Sequence, residues 1–174
     1  MGGVRILDRV AHALGSVSAE LILISNASDA ADWLPGVTVV ADHRPERGSL
    51  VGIHSALAYA RDTVLVVAWD MPFVNANLLR LICSRSRTAA FAVVPQGVSG
   101  PEAFCAAYTT ACLPFIDAAL DAAEFRLSHL LARLPSVDYL DAVQVSRAGD
   151  PDRLFLNVND AADLAAADRV AGAG

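Results

Sequence analysis

Several short apolar runs in this sequence stop on a side chain able to hold a ligand. Asn26 follows "LILIS", Asp42 follows "VTVVA", Asp70 follows "VLVVAW", and Asn157 and Asn159 lie in "RLFLNVND". Pro72 forces the chain out of the sheet just after Asp70, so that carboxylate projects a hard oxygen ligand into open space. This is how a divalent cation such as Mg²⁺ is held beside substrate phosphates. The structural alternative for Asp70 is to cap a helix expected over Ala76 to Ser84, but Asn75 is better placed for that. Asn26 and Asp42, taken singly, also suit turns and helix caps, because short polar side chains bond nearby backbone amides.

The loop "ADHRPERGSLVGIHSAL", Ala41 to Leu57, offers a second kind of chemistry. Gly48 and Gly52 flank Ser49, Leu50 and Val51 where a helix begins, and exposed amides at a helix start make a natural anion site. Arg44 and Arg47 add positive charge to the same loop. Alone, the pattern fits a turn and a cap equally well.

Other chemistries are disfavoured. His12, His43, His54 and His129 are dispersed, with no HxxxH or HExxH spacing for zinc. "GVSG" at Gly97 to Gly100 lacks the spacing of a nucleophile elbow and reads as a turn. There is no GxGxxG for a dinucleotide. All 13 basic residues are arginine, which excludes any mechanism that needs a lysine amine. Cys83, Cys105 and Cys112 form no CxxC pair and sit among apolar neighbours, so reduced core thiols in a reducing cytoplasm are expected.

The elements that must position these residues follow from periodicity. Leu21 to Ser25, Val37 to Ala41, Val64 to Ala68 and Phe91 to Pro95 are continuous apolar runs, the pattern of strands buried on both faces of a parallel sheet. Between them, Val4 to Leu14, Leu50 to Ala60 and Ala76 to Ser84 have helical spacing. So do Ala111 to Ala123, Phe125 to Leu134 and Ala161 to Val170, with a frayed alanine-rich end out to Gly174. The alternation argues for an α/β fold: three layers, a mostly parallel open sheet and helices on both faces. In such a sheet, ligands bind outside the carboxyl ends of the strands.

At 174 residues and 55% hydrophobic, the chain is expected to form one domain, residues 1–174. A net charge of -6 leaves no footprint for nucleic acid, and "SRSR" at Ser84 to Arg87 reads as a solvated helix end. No apolar run approaches the ~18 residues of a membrane span, and the N-terminus has no signal-peptide pattern.

Strand-"DMP", the preceding "GSLVG" loop, "SGPEAFCAAY" and "FLNVNDAADL" occur in an order that resembles the molybdenum cofactor guanylyltransferase (MobA) family, over nearly the whole chain. The resemblance implies a nucleotide-diphospho-sugar transferase-like fold and Mg²⁺-dependent transfer of GMP from GTP to a molybdenum-pterin phosphate, with release of pyrophosphate. It implies that Asp70 binds Mg²⁺ and is catalytic, and that Asn26 and Asp42 contact the nucleotide. It further implies that Gly48, Ser49, Leu50 and Gly52, with Pro101, Glu102, Asn157 and Asn159, face the pterin substrate. Molybdoenzymes or other cofactor-maturation proteins would be the partners, in the cytoplasm. Alternatives of the same resemblance are a cytidylyltransferase, a sugar-phosphate nucleotidyltransferase, or a non-catalytic module that binds molybdenum-pterin or a partner.

The sequence departs from the family's pattern at its start. Members open with a buried strand and a signature of the form "LAGGxSxRMGxDK", whereas "MGGVRILDRV" reads like the turn and helix that follow it. The expectation is therefore a truncated or misassigned start, a first strand missing from the sheet, and transfer activity weakened or lost with the phosphate loop. Neighbouring strands would then close up, or a second chain would supply cover.

Overall fold

The computed structural model describes residues 3–172, so Met1, Gly2, Ala173 and Gly174, the last two in the end expected to fray, lie outside the described residues. In chain order the elements are α1 (Ile6–Gly15), β1 (Ile22–Ile24), β2 (Thr38–Val40), α2 (Ser49–Ala60), β3 (Val64–Val67), α3 (Ala76–Ser86), β4 (Ala92–Gly97) and β5 (Gly100–Pro101). They continue with β6 (Cys105–Tyr108), α4 (Leu113–Asp121), α5 (Leu127–Arg133), β7 (Val137–Leu140), α6 (Ala142–Ser146), α7 (Pro151–Leu154) and α8 (Ala161–Gly172). Every apolar run expected as a strand is one, and every helical stretch is helical.

The sheet is mixed rather than mostly parallel. The main sheet runs β3, β6, β4, with β6 antiparallel to both neighbours, while β7 lies parallel to β4. β6 carries the sequence "CAAY", whose small residues hide a strand from a search for β-branched runs. "RLFLNVND" is not a strand: α7 ends at Leu154, and Leu156 to Asn159 follow as irregular chain. "GVSG" is the turn of the β4–β5 hairpin, with Gly100 at φ 128°, where a side chain would be strained.

Side chains alternate across this sheet and so make two cores. Ala92, Val94, Ala106 and Tyr108 face α2, α4 and α5. Val93, Cys105, Ala107 and Leu140 face α1, α3, α6 and α7. The three layers with helices on both faces are therefore present, and β4 and β6 are buried on both sides.

A second sheet holds only β1 and β2, parallel, with Ile22 opposite Thr38 and Ile24 opposite Val40. It is not paired to β3. Helix α2 holds the two sheets together, because Ile22 and Ile24 of β1 and Val66 of β3 all pack on the core that contains Ile53 and Ala56. The neighbouring strands thus do not close up, and the sheet is interrupted where the missing strand was expected.

Candidate functional site

Asp70 sits where β3 leaves the sheet. Ala68 still bonds β6 through Phe104 O at 2.8 Å, and the chain then turns, with Met71 N–H donating to Ala68 O at 3.3 Å. Met71 and Val74 are buried, which anchors the turn. Asn75 accepts from Leu78 N–H at 3.0 Å, capping α3 as expected, and donates to Ala148 O at 2.9 Å. Asp70 is thereby left free of the capping task. Its carbonyl accepts from Val158 N–H at 2.9 Å, so the "LNVN" segment is stitched to the end of β3.

One oxygen of the Asp70 carboxylate, Oδ1, is buried and has no hydrogen-bond partner. A buried polar atom in that state costs free energy that a ligand can recover. Among the described residues no three His, Cys, Asp or Glu side chains gather as a metal cage. One carboxylate nevertheless fits Mg²⁺, which keeps several waters and takes its other ligands from substrate phosphates.

A cavity of about 760 Å³ opens beside this carboxylate. Asp70, Trp69, Phe104, Asn157 and Asn159 line one end, Ser49 and Gly52 of α2 line a wall, and β1 and β3 line the sides. The structure thus brings together five of the expected site residues: Asp70, Ser49, Gly52, Asn157 and Asn159. Trp69 is 66% exposed at this mouth, and an adjoining cavity of about 830 Å³ places Trp33 with it. Trp69 adjoins the strand-end acid in the sequence, but its exposure and the approach of Trp33, distant along the chain, are seen only in the fold.

The other expected residues are placed elsewhere. Asn26 Nδ2 donates to Asp42 Oδ2 at 2.6 Å, and Asp42 N–H donates to Asn26 Oδ1 at 2.8 Å. This pair clips the ends of β1 and β2 together and lies outside both cavity walls. Leu50 is fully buried in the core, so its side chain anchors α2 instead of facing a substrate. Gly48 precedes α2 at φ 141°, a conformation that suits glycine. Pro101 pairs with Gln96 in the hairpin, and Glu102 N–H donates to Pro95 O at 2.8 Å. The Glu102 carboxyl folds over Gly97, and burial pushes its pKa up.

The positive charge expected from Arg44 is taken up within the protein. Arg44 pairs with Glu46 at 3.1 Å and reaches Asp117 and Asp121 on α4, and its hydrogen bonds to Glu46 and then Asp121 raise its pKa. His54 Nε2 lies 3.1 Å from the same Asp117. His43 N–H donates to the buried Ser55 Oγ at 2.9 Å, which fixes the loop on α2. This leaves Arg47 as the exposed arginine of the loop.

Comparison with known proteins bears on the family and the fold. The family model described as MobA-like NTP transferase domain matches residues 1–138. A molybdenum cofactor guanylyltransferase from Desulfosudis oleivorans is 30% identical over 100% of this chain and 86% of its own length. A probable molybdenum cofactor guanylyltransferase from Pelotomaculum thermopropionicum is 32% identical over 94% of this chain and 79% of its own. The crystal structure of molybdopterin-guanine dinucleotide biosynthesis protein A from Archaeoglobus fulgidus superposes with a TM-score of 0.82 at 22% identity, covering 99% of this chain and 88% of that one, and shows the same fold. The chain belongs to the MobA-like NTP transferase domain family and is a nucleotidyltransferase.

Proposed function

We propose that this nucleotidyltransferase moves GMP from GTP onto the phosphate of a molybdenum-pterin. The phosphate oxygen attacks the α-phosphorus in line, the bond to the bridging oxygen breaks, and pyrophosphate leaves with that electron pair. The observation that carries the reading is the buried, unpartnered Oδ1 of Asp70 facing a cavity that also holds Asn157, Asn159 and the start of α2. The named guanylyltransferase relatives supply the substrate class.

Phosphoryl transfer asks mainly for positioning and charge neutralisation. Asp70 would hold Mg²⁺, and when bound the ion neutralises phosphoryl oxygens. The Val158–Asp70 backbone bond fixes the carboxylate relative to Asn157 and Asn159, whose amides can donate to or accept from the pterin. Ser49 and Gly52, in the first turn of α2, offer backbone approach and the positive end of a helix dipole. Asn26 and Asp42 fix the spacing of β1 and β2, Gly48 and Leu50 seat α2, and Pro101 and Glu102 belong to the β4–β5 hairpin, so these six support the fold around the site without lining the cavity. Three free thiols fit a reducing cytoplasm, and no described helix is long and apolar enough to cross a membrane.

Calorimetric titration of GTP with Mg²⁺ into the protein, beside CTP, tests the reading. Saturable, Mg²⁺-dependent binding of GTP in preference to CTP, lost in Asp70→Asn, is expected. A preference for CTP would replace the guanylyl reading with the cytidylyl one, and equal binding by Asp70→Asn would remove Asp70 from the site.

A further inference from the structure

Among the described residues nine large apolar side chains are exposed, and five of them, Val4, Tyr59, Trp69, Phe104 and Leu164, line the two cavities beside β1 and β3. Phe125 lies outside both cavities and is 40% exposed. A Cβ placed on Gly48 would lie 3.9 Å from Phe125 Cβ, so the α4–α5 connection touches the head of α2. Ser49, the next residue, is in the cavity wall with Asp70.

Both sides of Phe125 are fixed. α4 closes on Ala123 in the left-handed region at φ 55°, which strains a residue with a side chain, and Glu124 N–H donates to Ala119 O at 2.8 Å. Glu124 then pairs with Arg133 at 2.7 Å, and Leu127 and Leu130 seat α5 in the core. The one ring pair among the described residues is Phe91 with Phe115, so Phe125 joins none. Arg47 and Arg126, the chain neighbours of the two touching residues, are exposed, and no hydrogen bond or ion pair holds either.

From this contact we propose that Phe125 is a stacking platform for the flat bicyclic ring of a substrate. One aromatic ring with two cations beside it is too small for a protein interface. It suits a planar heterocycle that carries phosphate, because the ring covers an apolar face and the guanidinium groups meet the anion. The inference rests on the nucleotidyl-transfer reading, which supplies two such substrates. The pterin and the guanine of GTP share an amino-oxo-pyrimidine fused to a second ring.

Calorimetric titration of two probes into the intact protein tests the platform: GTP with Mg²⁺, and 6-hydroxymethylpterin phosphate. Phe125→Ala removes the ring, Phe125→Leu keeps apolar bulk without a π face, and Phe125→Tyr keeps the face. Stacking predicts that the Ala and Leu variants bind one of the two probes about five- to a hundredfold more weakly, and that Phe125→Tyr binds it like the parent. The melting temperature should hold in all three, because the side chain is exposed. Selective loss of the pterin assigns the platform to that substrate, and selective loss of GTP assigns it to guanine. Undiminished binding by Phe125→Ala of every probe the parent takes up, equal loss of both, or a Leu variant as tight as the Tyr variant would overturn the proposal and leave the transfer reading standing. Failure of the parent to bind either probe would remove the transfer reading, and the platform with it.

Discussion

At the ends of β1 and β2 two polar side chains satisfy each other, whereas at the end of β3 a carboxylate keeps a buried oxygen that no protein group satisfies. The first arrangement is self-contained: each member of the Asn26–Asp42 pair uses its hydrogen-bonding capacity on the other, and the product is a fixed strand spacing. The second is open. Asp70 is held by its backbone, through Val158, while its side chain is left to a ligand. Polar groups that fold a protein and polar groups that work for it differ in whether the fold completes their bonding.

Breaking the open end should cost activity and spare the fold. Asp70→Asn removes the negative charge but keeps the shape, and transfer measured by pyrophosphate release should fall by about 10²–10³-fold, the range for losing one preorganised stabiliser. Its melting temperature should equal or exceed that of the parent, because a neutral amide is cheaper to bury than an unpaired carboxylate oxygen. Breaking the closed end should do the reverse. Asn26→Ala loses both bonds to Asp42, and denaturant unfolding should show about 1 kcal/mol less stability. Adding Asp42→Ala should then cost little more, since the two residues act as a unit.

The strand ends were legible because each follows a short apolar run, and periodicity alone put Asp70, Asn26 and Asp42 in that position. The mutual bonding of Asn26 and Asp42 was not, since it depends on the parallel register that sets Ile24 beside Val40. β6 escaped notice because alanine and cysteine carry weak strand preference, and its burial on both faces comes from the helices around it. Arg44 looked available for phosphate because Asp117 and Asp121 lie far along the chain and reach it only when α4 packs against α2. "LNVN" lies along the cavity although it is irregular chain and no strand, because the Val158 N–H bonds the Asp70 carbonyl at the end of β3.

The two glycines of the α2 loop sharpen the contrast between folding and working groups. Gly48 at φ 141° is conformationally required, so Gly48→Ala should lower stability by about 1 kcal/mol or more. Gly52 is helical, and a Cβ added there meets only Ile24 Cγ2, at an ordinary 3.6 Å. Gly52→Ala should therefore be neutral or stabilising by up to ~1 kcal/mol. If the start of α2 receives phosphate, the same substitution should weaken GTP binding in calorimetry while the melting temperature holds.

The smallest expected effect concerns a carboxyl of intermediate kind. Glu102 is partly buried over Gly97, and desolvation raises its pKa above the ordinary glutamate value. A carboxyl with a raised folded pKa prefers to stay protonated in the native state. Its contribution is most favourable below the unfolded value and is lost as pH rises through the folded one. Glu102→Gln abolishes that titration and keeps the side chain's volume. The variant should match the parent in urea unfolding at pH 4 and be the more stable of the two at pH 7, so the difference between their midpoints should open as pH climbs past the usual glutamate range. A gap that stayed constant with pH would mean that the carboxyl titrates alike in the folded and unfolded protein, and one that opened in the opposite sense would mean that Glu102 pairs with a cation or donor and belongs with the closed, self-satisfied groups rather than with Asp70.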